Sequence, residues 1–278
     1  MEKFQLSLLF KIIGIGSASG LVYLDDKLYI ISDSSSYLYE YQIGDAQLSK
    51  IALVENPQEN IPKKDKPDLE AIALKGKDLY LFGSGSTASR NRLFKYKPKS
   101  GKVIVKDITN IYSKIKKDYT IADDELNIEG VIIDGKSFYI FQRGNGTIGK
   151  NGIIYANDSA ETATLEYIMF DLPKIKNVAA TFTDAILVNE TIYFLATAED
   201  TTSTYLDGEV LGSIIGSIDL KTMKLIDYVQ ISEEHKFEGL TLFKQTSNEI
   251  EFLICEDNDT EKLESTIFKL VIRTREKL

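Results

Sequence analysis

Four acidic side chains stand at the starts of short apolar segments. They are Glu70 in Asp68-Leu69-Glu70-Ala71, Glu129 in Asn127-Ile128-Glu129-Gly130, Asp184 in Phe182-Thr183-Asp184-Ala185 and Glu238 in Lys236-Phe237-Glu238-Gly239. These acids lie 59, 55 and 54 residues apart, and Ser19-Gly20 holds the matching place 51 residues before Glu70. Carboxylates gathered in one place repel unless a cation, neighbouring arginines or bound protons relieve them. Oxygen ligands without His or Cys suit Ca2+ or Mg2+, which makes Glu70, Glu129, Asp184 and Glu238 candidate ligands of such an ion. The alternative is structural: the acids accept backbone N–H groups from neighbouring segments and lock the fold.

A second set of polar residues follows the segments that come next. Arg90 ends a loop that begins Gly83-Ser84-Gly85-Ser86-Thr87, and Arg143 heads Arg143-Gly144-Asn145-Gly146. Such glycines let a backbone approach a ligand, and arginine can clamp a carboxylate or phosphate. Arg90, Arg143, Ser84, Ser86 and Asn145 are therefore candidate ligand-binding residues, with neutralisation of the acids as the other role for the arginines. With a bound cation to polarise a phosphoryl or carbonyl oxygen, Glu129 or Glu238 would serve as general base. His235 is the sole histidine, and the chain has no Gly-x-Ser-x-Gly elbow, which disfavours serine-hydrolase chemistry. Neither glycine-rich loop continues into Gly-Lys-Ser/Thr, so neither is a Walker sequence.

The acids recur because the chain repeats. After each comes a similar strand pair: LVYLDDKLYIIS after Gly20, IALKGKDLYLFG after Ala71, VIIDGKSFYIFQ after Gly130 and ILVNETIYFLA after Ala185. The fifth copy, LTLFKQTSNEIEFLIC, follows Gly239 with a longer turn. Asp25-Asp26, Asp134-Gly135 and Asn189-Glu190 between apolar runs are hairpin signals. Further strands follow in most units, as at Tyr37–Tyr41, Leu93–Tyr96 and Gly212–Ile218. Repeated units of four short antiparallel strands predict an all-β fold: one β-propeller domain over residues 1–278 with five four-stranded blades. A sixth blade would need a degenerate unit within 111–126 or 145–164, and residues 111–117 read equally as a short helix. The fifth unit supplies only three C-terminal strands, so the unclaimed strand Gln5–Ile12 is expected to complete it and close the ring.

With first strands lining a central channel, a hairpin brings the start of the first strand and the end of the second to one face. That geometry predicts a single mouth carrying both polar sets. The formal charge of −9 and pI near 4.9 exclude the basic face that nucleic acid requires. Cys255 is the sole cysteine, which rules out an intrachain disulfide. No apolar run reaches the ~18 residues that span a membrane. Lys11 interrupts the apolar start of the chain, so a strand is favoured there over a signal peptide, and a cytoplasmic location is the default expectation. Nothing in the sequence identifies a protein partner.

The Asp68–Ala71, Gly83–Ser86, Asn127–Gly130 and Arg143–Asn145 motifs, with Glu199-Asp200-Thr201, Asp207-Gly208-Glu209-Val210 and Cys255-Glu256-Asp257-Asn258-Asp259, resemble an uncharacterised bacterial β-propeller family. That family is similar to the phytase-esterase-like propellers, whose inner strands also begin with Glu-Gly or Glu-Ala. The resemblance spans nearly the whole chain and implies the fold and a functional mouth. Among the broader relatives are metal-dependent phosphatases and lactonases, while Ser19 departs from the repeated acid. Two functions stay open at this point. One is a Ca- or Mg-dependent hydrolase of a small anionic substrate. The other is a non-catalytic propeller that binds a ligand or peptide, with a structural cation or none.

Overall fold

The computed structural model describes residues 4–144, 149–157, 165–201, 208–257 and 262–273. Strand β1 is Phe4–Ile13. Blade one contains β2 (Ala18–Leu24), β3 (Lys27–Ser32), β4 (Tyr37–Gln42) and β5 (Gln47–Ala52). Blade two contains β6 (Leu69–Lys75), β7 (Asp78–Gly83), β8 (Arg92–Lys97) and β9 (Lys102–Asp107), and helix α1 (Thr109–Tyr119) follows it. Blade three contains β10 (Ile128–Asp134), β11 (Ser137–Gln142), β12 (Gly152–Asn157) and β13 (Leu165–Met169). A small hairpin, β14 (Lys174–Ile175) and β15 (Val178–Ala179), leads into blade four. Blade four contains β16 (Thr181–Val188), β17 (Thr191–Asp200), β18 (Glu209–Asp219) and β19 (Lys224–Ser232). Blade five contains β20 (Phe237–Gln245), β21 (Glu249–Glu256) and β22 (Glu264–Arg273).

Each blade is a four-stranded antiparallel sheet, and the fifth has the order β1-β22-β21-β20. The N-terminal strand pairs with β22 from Phe4↔Ile272 to Ile13↔Glu264, so both ends of the described chain share one blade. The expected five blades and their closure are observed. No sixth blade occupies 111–126, because α1 covers that stretch to Tyr119, burying Tyr112 and Ile115, and no strand follows before β10. The inner hairpins turn at residues with positive φ: Asp25 (+50°) and Asp26 (+63°), Gly76 (+65°), Gly135 (+57°) and Asn189 (+57°). Those values match the tight turns that suit the twist of paired strands.

The core lies between blades rather than within one. Val188, Leu195 and Ile215 of blade four meet Phe237, Leu240 and Phe252 of blade five. Leu21, Leu28 and Tyr39 of blade one meet Leu253, Cys255 and Ile267 of blade five, with Ile12 of β1 among them. Similar clusters join blades one and two, two and three, and three and four. Each blade thus depends on two neighbours for burial. Helix α1 adds to the cluster between blades two and three, where the Tyr112 hydroxyl donates to Gly83 O at 2.7 Å. Gly85 carries no Cβ beneath that ring and has φ +80°, a combination only glycine takes without strain.

Removing residues 1–13 strips Ile12 from the closing cluster and leaves β22 as an open edge. Loss of one such buried side chain costs about 2–5 kcal/mol, and at ~2–4 °C per kcal/mol for a chain of this size the melting temperature falls by roughly 10 °C. Calorimetry checks this. A truncated chain that melts like the full-length one would show that β1 does not close the ring energetically.

Candidate functional site

Every inner strand starts with a bulge. The register skips Ser19 between Ala18 and Gly20, Glu70 between Leu69 and Ala71, Glu129 between Ile128 and Gly130, and Glu238 between Phe237 and Gly239. In blade four the skipped residue is Thr183, between Phe182 and Asp184. The ring of equivalent positions is therefore Ser19, Glu70, Glu129, Thr183 and Glu238. Asp184 lies one step along its strand, where the other blades have Gly20, Ala71, Gly130 and Gly239. The small residues have a steric cause: a Cβ on Gly239 would lie 2.9 Å from Gly20 Cα, because adjacent inner strands nearly touch.

The two hydroxyls do the same work in their two blades. Ser19 Oγ donates to Leu69 O at 2.5 Å and Thr183 Oγ1 donates to Phe237 O at 2.6 Å, each reaching the residue before the next blade's glutamate. Asp184 also crosses between blades. Its Oδ1 accepts from Ala185 N and its Oδ2 from Leu240 N, both at 2.7 Å. For Asp184, then, the backbone-locking role is the one its contacts describe, and both oxygens have donors.

The ends of the second strands lie beside the starts of the first, as the hairpins require. Ser84 N–H donates to Asp68 O at 2.9 Å, Arg143 N–H to Asn127 O at 2.8 Å and Asp257 N–H to Lys236 O at 3.0 Å. At this end two charged networks form. The larger spans blades three, four and five. Arg143 bonds Glu199 Oε2 at 2.6 Å and Glu129 Oε1 at 3.2 Å, and its Nη1 lies 3.8 Å from Glu238 Oε1. Lys236 Nζ lies 2.9 Å from Glu238, 3.3 Å from Asp257 and 3.4 Å from Glu199. Asn127 donates to Glu129 at 2.7 Å.

The smaller network joins blades one and two. The Lys66 ammonium binds Asp33 Oδ2 and lies 2.8 Å from Asp68 Oδ1. Asp68 Oδ2 accepts from Arg90 Nη1 at 2.8 Å, from Ser86 Oγ at 3.4 Å and from Ser84 Oγ. Arg90 further donates to Ser86 Oγ and to Lys63 O, both at 2.7 Å. The carboxylates of Asp33, Asp68 and Glu70 offer oxygens within 4.8 Å of one another, and this buried acidic triad could hold a metal ion. Glu70 has no hydrogen bond or ion pair with any described residue and is only 9% exposed. Asp33 Oδ1 is buried without a hydrogen-bond partner.

Burial governs the protonation of these acids. It pushes Glu70 well above the usual carboxylate range, and the charges of Asp68 and Glu129 add to the effect. Glu238 is likewise pushed well up by burial, against the pull of Lys236. Burial raises Asp184 despite its two amide donors, and raises Glu129 despite Arg143 and Lys236. Asp68 goes the other way: Lys66 and Arg90 outweigh its burial and hold it low.

Of the residues expected from sequence, Glu129, Glu238 and Arg143 meet in the larger network, and Glu70, Ser84, Ser86 and Arg90 surround the smaller. Asn145 lies outside the described residues. Asp33, Glu199 and Asp257, at the ends of second strands, lie at the mouth as the hairpin geometry predicts, and Lys66, Asp68, Asn127 and Lys236 complete the networks without having been singled out. Lys236 and Asp68 had a signal in the repeat itself, since both stand two residues before the bulged glutamate. Lys66 comes from an inter-blade loop, where no periodicity marks it.

The raised acids set a pH dependence. In the unfolded chain Asp184 and Glu238 lose their protons near pH 4, whereas the folded chain keeps them to higher pH. Between those values the native state binds more protons than the unfolded one, so stability falls as pH rises from about 4 toward the folded pKa values. Asp68 acts in the opposite sense and below that window. The melting temperature is expected to be higher at pH 5 than at pH 7.5, and Glu238→Gln should flatten the difference. A melting profile that rises between those pH values would contradict this account of the mouth.

No curated protein sequence matches the chain. Among solved structures, it is similar to the Malassezia sympodialis allergen Mala s 1, with a TM-score of 0.56 at 10% identity over 95% of this chain and 96% of that chain. Glutaminyl cyclase from Myxococcus xanthus gives a TM-score of 0.53 at 11% identity, covering 97% of each chain. The PQQ-bound aldose sugar dehydrogenase from Streptomyces coelicolor gives 0.52 at 12% identity, covering 97% of this chain and 99% of that chain. At such identities the likeness carries the fold and not the activity. The model of a family of unknown function (DUF6929) matches residues 14–272, and the chain belongs to that family.

Proposed function

We propose that the channel mouth is a binding site centred on a hard cation, Ca2+ or Mg2+, held by Asp33, Asp68 and Glu70 between blades one and two. The observation that carries this reading is an orphaned carboxylate oxygen on Asp33 beside a buried glutamate, Glu70, that makes no hydrogen bond or close ion pair with a described residue. Asp33 Oδ1 is buried without a donor, and Glu70, nine-tenths buried, feels the charge of Lys66 but has no cation among the described residues close enough to form an ion pair with it. A carboxylate so placed is stabilised by a proton or a cation. The other acids are provided for: Glu129 and Glu238 by Arg143 and Lys236, and Asp184 by backbone amides. An all-oxygen set suits a hard divalent ion.

Lys66 already places one positive charge between Asp33 and Asp68. A divalent ion drawing on both carboxylates competes with that ammonium. Arg90 and Arg143 have donors engaged by protein carboxylates, which weighs against an anion clamp built from them and favours the binding propeller over the hydrolase.

A hydrolytic reading has one observation in its favour. Burial makes Glu129 and Glu238 proton-holding groups beside the same mouth, as a general acid or base requires. A bound Ca2+ or Mg2+ would supply a Lewis acid for the phosphoryl or carbonyl oxygen of a small phosphate or lactone, the substrate classes implied by the resemblance to phytase-esterase-like propellers. In that case Glu238→Gln would abolish turnover of a phosphomonoester or lactone without changing cation binding.

Calcium titration of three proteins tests the cation site. The wild-type melting temperature should rise with Ca2+ and fall with a chelator, by a stabilisation of about 2.7 kcal/mol at a hundredfold excess over Kd. Lys66→Met should bind Ca2+ more tightly than wild type, because the competing ammonium is gone. Glu70→Gln should lose the response. If neither wild type nor Lys66→Met responds to Ca2+ or Mg2+, the cation reading is wrong and Glu70 simply carries a proton.

A further inference from the structure

The single histidine stands apart from both charged networks and is held by a carboxylate. Ser232 Oγ accepts the backbone N–H of Glu234 at 3.1 Å and of His235 at 2.9 Å, which fixes the turn from β19 into β20. The imidazole then rests against two aromatic rings, with centroids 5.4 Å from Phe237 and 5.1 Å from Phe268. Its Nδ1 lies 2.6 Å from Glu256 Oε1, at the end of β21. In the neutral tautomer that bond favours, Nδ1–H donates to Glu256 and the Nε2 lone pair is left available.

The surroundings of His235 supply more oxygen donors. A surface pocket of about 600 Å3 lies between blades four and five, lined by Leu6 of β1 with Gln230, Ser232, Glu233, Glu234 and His235. Glu234 Oε1 is 3.7 Å from Nε2, too far for a hydrogen bond. That separation suits another use. Two ligands on one tetrahedral zinc ion, with metal–ligand distances of ~2.0–2.2 Å, lie about 3.3 Å apart. The Glu234 side chain is 82% exposed, so it can close the remaining few tenths of an ångström without disturbing the core.

We propose that His235 Nε2 and the Glu234 carboxylate form a binding site for a divalent transition metal of the zinc class, with Glu256 as the residue that orients and polarises the imidazole. A carboxylate behind a ligating histidine fixes the ring and raises its basicity, and loss of such a partner weakens metal binding by about 10–100-fold. Imidazole with carboxylate selects zinc, nickel or copper over calcium. The site is independent of the oxygen-only triad at the channel mouth and does not rest on that reading. Solvent completes the coordination.

Zinc chloride is the probe, titrated into the full-length protein and followed by calorimetry and by the imidazole nitrogen resonances of the one histidine. The expected result is saturation at one equivalent with a shift at Nε2, while Ca2+ leaves those resonances in place. His235→Gln should remove the binding event, Glu234→Gln should weaken it, and Glu256→Gln should weaken it by about 10–100-fold. Zinc binding unchanged in His235→Gln, or a wild-type Nε2 signal indifferent to millimolar zinc, would overturn the proposal. The wild-type resonance decides the matter even if a variant fails to fold.

Discussion

Inner strands that begin together around a narrow axis must place their first side chains side by side. When those side chains are glutamates, each charge sits in a low dielectric among its own kind, and the repulsion has to be answered locally. Most of what surrounds the mouth of this propeller follows from that constraint. Arg143 lies against Glu129 and Glu199 and within 4 Å of Glu238, drawing together blades three, four and five, while Lys236 reaches Glu199, Glu238 and Asp257. Because removing one partner would strand a buried charge, these contacts fix how neighbouring blades stand against each other. The hydrophobic clusters between blades supply the burial. The charges at the mouth add register and orientation.

Blades one and four relieve the crowding differently. Each has a hydroxyl at the bulge, and Ser19 and Thr183 donate hydrogen bonds to backbone carbonyls of the next blade. In both cases the following blade contributes a lysine near its strand start, Lys66 for blade two and Lys236 for blade five. A hydroxyl, then a glutamate preceded by a lysine, is thus a motif used twice around the ring. Blade three stands outside the pattern and brings an arginine from its second strand.

The blade count and the ring closure were legible in the sequence because both rest on strand patterning. Alternating apolar residues, turn dipeptides and a three-stranded final unit leave one strand unassigned, and Gln5–Ile12 was the only candidate. The alignment of the mouth was less legible. Spacing and the small residue after each acid matched Asp184 with Glu70, Glu129 and Glu238, yet the bulge in β16 falls on Thr183. The turn carried the signal: Ser19, Glu70 and Glu129 stand 6 residues before Asp25, Gly76 and Gly135, as Thr183 does before Asn189, whereas Asp184 stands 5 before it. The expected anion clamp illustrates a different limit. Arg90 and Arg143 were visible as cations near a glycine-rich mouth, but which carboxylates engage them depends on contacts between blades. Lys66 was hidden for the same reason, since its loop has no repeat to mark it and its partners lie on two different blades.

The resulting mouth is electrostatically lopsided. On the side of blades three to five, Glu129 and Glu238 each have a cation within 4 Å, and burial raises their affinity for protons. On the side of blades one and two, Lys66 and Arg90 both attend to Asp68, which holds that carboxyl in its charged form while Glu70 beside it goes without a partner. Close charge compensation therefore falls on Asp33 and Asp68, while Glu70 has no cation among the described residues within ion-pair distance. A purely structural network would be expected to spread its cations so that no buried carboxylate stood alone, as the opposite side does. The uneven distribution leaves Glu70 and the orphaned oxygen of Asp33 facing a common space with a fixed anion, Asp68, beside them. On the proposed reading it is there, rather than around the whole acidic ring, that a cation would bind.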